Sequence, residues 1–140
     1  MTPTNPDSTI VAGYAATELG RLVLEAAVHE AQVRGARLIL VNSATGGAYA
    51  DRGLASSADL DAAEAHARSA GIAVEVRQVN DALAVAETLL AEVVRTGADL
   101  LIIGVRSRSR TGKFLLGSTA QTVLLRAPCN VLAVKLHDHT

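Results

Sequence analysis

The segment Asp99-Leu100-Leu101-Ile102-Ile103-Gly104 carries no polar side chain between its two ends. A strand built on it has no face to turn to water, so it belongs inside a parallel sheet with helices on both sides. Thr9-Ile10-Val11-Ala12-Gly13-Tyr14 and Ala36-Arg37-Leu38-Ile39-Leu40-Val41 are nearly as apolar and end at turns. Ile72-Ala73-Val74-Glu75-Val76-Arg77-Gln78-Val79 alternates and reads as a further strand, and Asn130-Val131-Leu132-Ala133-Val134-Lys135 as the last.

Helical patterns fill the gaps between these strands. Leu19, Leu22, Val23, Ala26 and Ala27 make one apolar stripe that stops at Gly35. Asp59, Asp61 and Glu64 open a second helix and His66 and Arg68 close it before Gly71, a charge order that suits the helix dipole. Leu83, Ala86, Leu89, Leu90, Val93 and Val94 form the face of a third, ended by Gly97. Ser118-Thr119-Ala120-Gln121 has capping-box spacing, with Ser118 at the N-cap, and starts a short fourth. Strands alternating with helices imply right-handed parallel crossovers. The expected fold is a single doubly wound α/β domain: a five-stranded parallel sheet with helices on both faces. Residues 1–8 are expected to be a disordered lead-in, 9–136 the domain and 137–140 a tail, with a flexible Gly-, Ala- and Ser-rich stretch from Ser43 to Ser57. There is no internal repeat.

Composition narrows the class. The 140 residues are 49% hydrophobic and suit one domain, which at this size buries roughly 68–70% of its unfolded surface. Cys129 is the only cysteine, so no disulfide forms within the chain. No apolar run approaches the ~18 residues of a membrane span, and the first eight residues lack the basic and apolar regions of a signal peptide. The expectation is a cytoplasmic protein with no membrane association. Aromatic residues are 2% of the chain, which argues against specific nucleic-acid binding.

The net charge of −1 conceals an asymmetry. No Asp or Glu lies between Leu100 and His137, whereas Arg106, Arg108, Arg110, Lys113, Arg126 and Lys135 do. Such a stretch attracts an anion or simply keeps a loop soluble. In sheets of this type ligands bind beyond the carboxyl ends of the strands, where the strand order reverses. The loop after Gly104 runs through the arginines and enters a helix at Gly117-Ser118-Thr119. Free N–H groups, a glycine and two hydroxyls make a phosphate seat there; an ordinary Ser cap after a Gly turn has the same spelling. Two other phosphate motifs are absent. Phe114 follows Gly112-Lys113 where a P-loop needs Ser or Thr, and no Gly-x-Gly-x-x-Gly follows the first strand.

Asp99 to Gly104, Leu115-Leu116-Gly117-Ser118 and Ala127-Pro128-Cys129-Asn130-Val131-Leu132, together with Thr9 to Tyr14, resemble the universal stress protein family across nearly the whole domain. The resemblance implies the adenine-nucleotide alpha-hydrolase-like fold with strand order 3-2-1-4-5. It also implies ATP or another adenine nucleotide as ligand, and a homodimer joined through the C-terminal strand 130–136. The implied nucleotide-binding residues are Gly13, Val41, Gly104, Arg106, Gly117, Ser118 and Thr119. The phosphates would sit on Gly117, Ser118 and Thr119 with Arg106 or Arg108, and the base near Val41. The family's ATP frame is Gly, two residues, Gly, nine residues, Gly, then Ser or Thr. Here it reads Gly104, Val105-Arg106, Ser107, nine residues, Gly117, Ser118, so Ser107 replaces the second glycine. Ala15 stands where the family has an adenosine-holding Asp, and Asn80-Asp81-Ala82 replaces a Gly-Asp-Pro turn. Losing a hydrogen-bonding Asp costs on the order of 1–3 kcal/mol of binding, so the pocket is expected to be degenerate.

No residue qualifies as nucleophile or general base, and no catalytic triad is placed. Cys129, in the Ala-Pro-Cys turn, is expected to be packed rather than reactive. His137 and His139 lie on the tail, His29 has no second ligand near it, and no metal site is expected. The resemblance implies a stress-linked dimeric binding or regulatory module, and no enzyme is expected. The alternatives are an ATP binder with slow hydrolysis and a ligand-free interaction scaffold.

Overall fold

A computed structural model describes residues 8–43, 55–79, 84–106 and 116–136. Its strands are β1 (Thr9–Gly13), β2 (Arg37–Ser43), β3 (Val74–Val79), β4 (Leu100–Arg106) and β5 (Asn130–Leu136). Its helices are α1 (Glu18–Arg34), α2 (Ser57–Ser69), α3 (Val85–Thr96) and α4 (Ser118–Arg126). All pairings are parallel and the strands lie in the order β3-β2-β1-β4-β5. The doubly wound α/β fold and its 3-2-1-4-5 order are therefore as expected.

Strand alternation sorts the core into two layers. Ile10, Ala12, Leu38, Leu40, Leu100 and Ile102 pack with Val23 and Ala27 of α1 and with Ala63 and Ala67 of α2. Val11, Ile39, Val41, Leu101 and Ile103 pack against Leu89 and Val93 of α3 and Val123 of α4. Because β1, β2 and β4 are covered on both faces, their side chains are buried without regard to parity. The two edge strands, β3 and β5, are only half buried.

Helix ends follow local chemistry. Thr17 caps α1 by accepting from the Gly20 N–H at 3.0 Å, and Gly35 ends it at φ +64°. Ser56 and Asp59 form a reciprocal capping box on α2, a cap that the sequence did not single out. The box expected at Ser118 does not form. Gln121 N donates to Gly117 O at 3.0 Å, so the helix starts one residue earlier and Gly117 is the N-cap. Ser118 then lies inside the first turn, and Gln121 Nε2 turns to Leu116 O at 2.6 Å.

Strand boundaries also differ: β1 ends at Gly13 rather than Tyr14, and β2 runs from Arg37 to Ser43 rather than from Ala36 to Val41. β3 starts at Val74 rather than Ile72, because Ile72 N is still tied to Ala67 O at the end of α2. β4 continues past Gly104 because Val105 and Arg106 pair with Lys135 and Leu136. The stretch from Ser43 to Ser57 is largely outside the described residues, as are the lead-in, the tail and Asn80-Asp81-Ala82.

Candidate functional site

The chain builds β2 and β3 on one side of β1, then crosses through α3 to place β4 on the other side. The strand order reverses between β1 and β4, and in such sheets the carboxyl ends of the strands at that reversal frame a crevice. A crevice of about 210 Å³ opens there. Its floor is the strand ends, Gly13, Val41, Ile103 and Gly104. Val85 and Leu89 of α3 form one wall, Tyr14 and Ala15 form the rim, and Thr119 brings the first turn of α4 to the edge.

The glycines at this crevice have different causes. A Cβ on Gly104 would lie 2.7 Å from Leu19 Cγ, so this position is small to let α1 close over β4. One on Gly13 would lie 3.2 Å from Leu89 Cδ1, so α3 crosses just above it. Gly20, one turn into α1, is far tighter: a Cβ there would stand 1.7 Å from Ala15 O. The rim segment from Tyr14 to Thr17 thus folds back onto the helix it precedes, and only a glycine leaves room. Gly117 has open space around it and an ordinary φ of −64°. Nothing in the described packing requires a glycine at that position.

Asn42 ties the floor together from below. It is buried; its Nδ2 donates to Tyr14 O at 2.9 Å, and its Oδ1 accepts from Ala55 N at 2.9 Å and Gln78 Nε2 at 3.0 Å. Gln78 Nε2 also reaches Ala55 O at 2.7 Å. One side chain therefore fixes the exit of β1, the approach to α2 and the end of β3. Tyr14 N donates to Val41 O at 2.8 Å, which commits that carbonyl to the sheet. Burial, and secondarily the negative charge of Asp59, pushes the Tyr14 phenol above its ordinary value, so it stays protonated and neutral at the rim.

Of the seven nominated residues, Gly13, Val41, Gly104 and Thr119 meet at the crevice. Gly117 and Ser118 are exposed at the start of α4, beside Thr119 but off the crevice wall. Arg106 ends β4; its side chain and residues 107–115, including Ser107, Arg108, Arg110 and Lys113, lie outside the described residues. Residue spacing did not reveal Ser43, Val85 or Tyr14 as lining residues. Ser43 could have been found from alternation, since it falls two residues beyond Val41 on the same face. Gly20 also carried a signal, because a glycine inside a helix is unfavourable without a packing reason.

Away from the crevice, Cys129 is half buried beside the α3/α4 layer. Burial, and to a lesser degree Asp99, raises its thiol pKa, which opposes thiolate chemistry. Among the described residues no group of three or more His, Cys, Asp or Glu could hold a metal ion. No described helix is long and apolar enough to cross a membrane.

Comparison with known proteins gives one family. Residues 8–135 match the model of the Universal stress protein family. A universal stress protein of Mycolicibacterium smegmatis is 42% identical over 128 residues, covering 91% of this chain and 98% of that protein. One from Thermus aquaticus is 31% identical, again over 91% and 98% of the two chains. The universal stress protein structure from Archaeoglobus fulgidus superposes with a TM-score of 0.75 at 26% identity, covering 91% of this chain and 98% of that one. A universal stress protein solved in complex with cAMP superposes with a TM-score of 0.72 at 28% identity, over 94% and 98%.

Proposed function

The chain belongs to the universal stress protein family, and from that premise we propose that it is a binding and regulatory module, not a catalyst, that takes an adenine nucleotide in this crevice. The observation that carries the reading is the convergence of Gly13, Val41, Gly104 and Thr119 on one cavity at the strand-order reversal. Its largely apolar floor and wall suit a flat base. At about 210 Å³ the cavity lies below the roughly 300–1,000 Å³ typical of whole-ligand sites, so the phosphates stay at its mouth. The first turn of α4 stands there with unpaired N–H groups and no acidic residue, a combination that favours an anion. Arg106 is the last residue of β4, at the carboxyl end of the sheet, and is the nominated source of added positive charge. A relative of the same fold holds cAMP, which supports an adenine ring and a phosphate as the ligand's two parts.

Ala15 removes the carboxylate that would grip the adenosine, and Ser107 adds a Cβ to the phosphate loop. Both lower affinity, so the pocket is a weakened one. An ATP binder with slow hydrolysis is the second reading. The working form is a cytoplasmic homodimer paired through strand 130–136. β5 is an edge strand whose Val131, Leu132, Ala133 and Val134 remain half buried. The opposite edge, β3, is crossed by charge, with Arg77 and Arg95 both paired to buried Glu92. Charged edges discourage pairing and apolar ones invite it. The link to stress rests on family membership alone.

A thermal-shift series with ATP, ADP, AMP and cAMP tests the nucleotide. A ligand at a hundred times its Kd stabilises by about 2.7 kcal/mol, which is readily measured. Absence of any shift at millimolar nucleotide overturns the reading and leaves an interaction scaffold. The scaffold reading draws on Val94 and Leu125, large apolar side chains 72% and 86% exposed on α3 and α4. A monomer mass by light scattering at high micromolar protein rejects the dimer.

A further inference from the structure

The crevice wall carries a polar atom that the fold leaves unused. Ser43, the last residue of β2, is 9% exposed, and its Oγ is buried with no hydrogen-bond partner. Strand alternation puts its side chain on the same face as Ile39 and Val41, which pack against α3. Val85 and Leu89 of α3 line the crevice beside it. The hydroxyl therefore stands at the carboxyl end of β2, in a crevice whose α3 wall is apolar. Its backbone is already paired in the sheet, opposite Val79 of β3. Buried hydroxyls are almost always bonded, and one left unmet is costly.

We propose that Ser43 is a specificity-determining contact of the crevice: by rotation about χ1 its hydroxyl makes a hydrogen bond to the ring edge of a bound purine. A hydroxyl both donates and accepts, so it can meet a ring nitrogen or an exocyclic amine. It supplies a side-chain contact in a site whose rim residue, Ala15, has none to give. Ser43 thus compensates in part for the missing carboxylate, and shifts recognition from the sugar toward the base. This assignment rests on the nucleotide reading above.

The test is calorimetric titration with AMP on the wild type, Ser43→Ala and Ser43→Thr, alongside the melting temperature of each protein without ligand. Ser43→Ala is expected to weaken AMP binding about 10-fold, the factor of 1.4 kcal/mol, with the unliganded melting temperature unchanged or raised. Ser43→Thr, which keeps the hydroxyl, should stay within about threefold of the wild type. Wild-type affinity in Ser43→Ala overturns the assignment alone. So does a loss accompanied by a fall in unliganded melting temperature, which marks a structural role. If the wild type binds no adenine nucleotide at millimolar concentration, the nucleotide reading fails and Ser43's assignment falls with it.

Discussion

Replacing Gly20 by alanine should damage the crevice from behind. The new Cβ would sit 1.7 Å from Ala15 O and must be relieved to about 3.3 Å, so the carbonyl moves by about 1.6 Å. That carbonyl accepts from Thr17 N at 2.9 Å, and Thr17 in turn caps Gly20 N at 3.0 Å. Displacing Ala15 therefore threatens a turn hydrogen bond, worth about 1 kcal/mol, and the cap, worth about the same. Overpacking strain adds about 1 kcal/mol or more. Alanine's better helix propensity returns about 1 kcal/mol. The net expectation is a loss of about 2 kcal/mol, or roughly 8 °C in Tm for a domain of this size. Urea denaturation followed by circular dichroism measures it directly, with Gly117→Ala as the matched control. Gly117 has an ordinary φ and nothing within 4 Å of its Cβ position, so that variant should change stability by no more than about 0.5 kcal/mol. A Gly20→Ala protein as stable as the wild type would show that the rim does not fold back on α1 as described.

Other expectations follow from buried polar groups and from the lone thiol. Asn42→Ala should cost about 3 kcal/mol by urea denaturation, because Tyr14 O and Ala55 N lose their partner together; a loss below 1 kcal/mol would show that the clamp is dispensable. Glu92→Ala removes the carboxylate that Arg77 and Arg95 share and leaves Arg95 only its longer contact to Glu75 at 3.9 Å. The two arginine side chains are 39% and 44% exposed and water solvates them once the carboxylate is gone, so the loss should be about 1 kcal/mol and added salt should narrow it. Cys129 in the native protein should react with iodoacetamide at pH 8 much more slowly than in the urea-unfolded chain, since burial holds its thiol protonated. The sign of the linkage follows from the raised folded pKa. Stability from Cys129 and Tyr14 is fully present below their unfolded values and declines as alkaline pH ionises them in the unfolded chain only. Equal alkylation rates in the two states would contradict the packing of Cys129.

Much of the fold was legible because it is written in local spacing. The apolar runs at Ile10, Leu38 and Leu100 announced strands buried on both faces, and Gly35, Gly71 and Gly97 marked the ends of helices, each at positive φ. The resemblance supplied the strand order, which periodicity alone does not encode. At the site, Gly13, Val41, Gly104 and Thr119 were nominated and do meet. Ser118 was given the cap that Gly117 holds, because capping-box spelling does not reveal where the first intrahelical hydrogen bond begins.

The sequence by itself determined the layered α/β architecture, since side-chain alternation and helix caps depend on residues a few positions apart. Only the tertiary structure decided what each crevice residue is for. Gly104 is small because Leu19, 85 residues away in sequence, packs onto it. Ser43 is unpartnered at a crevice where α3 offers it only the apolar side chains of Val85 and Leu89. Both facts arise where right-handed crossovers bring distant segments into contact, and no local pattern records which side chains will face each other there.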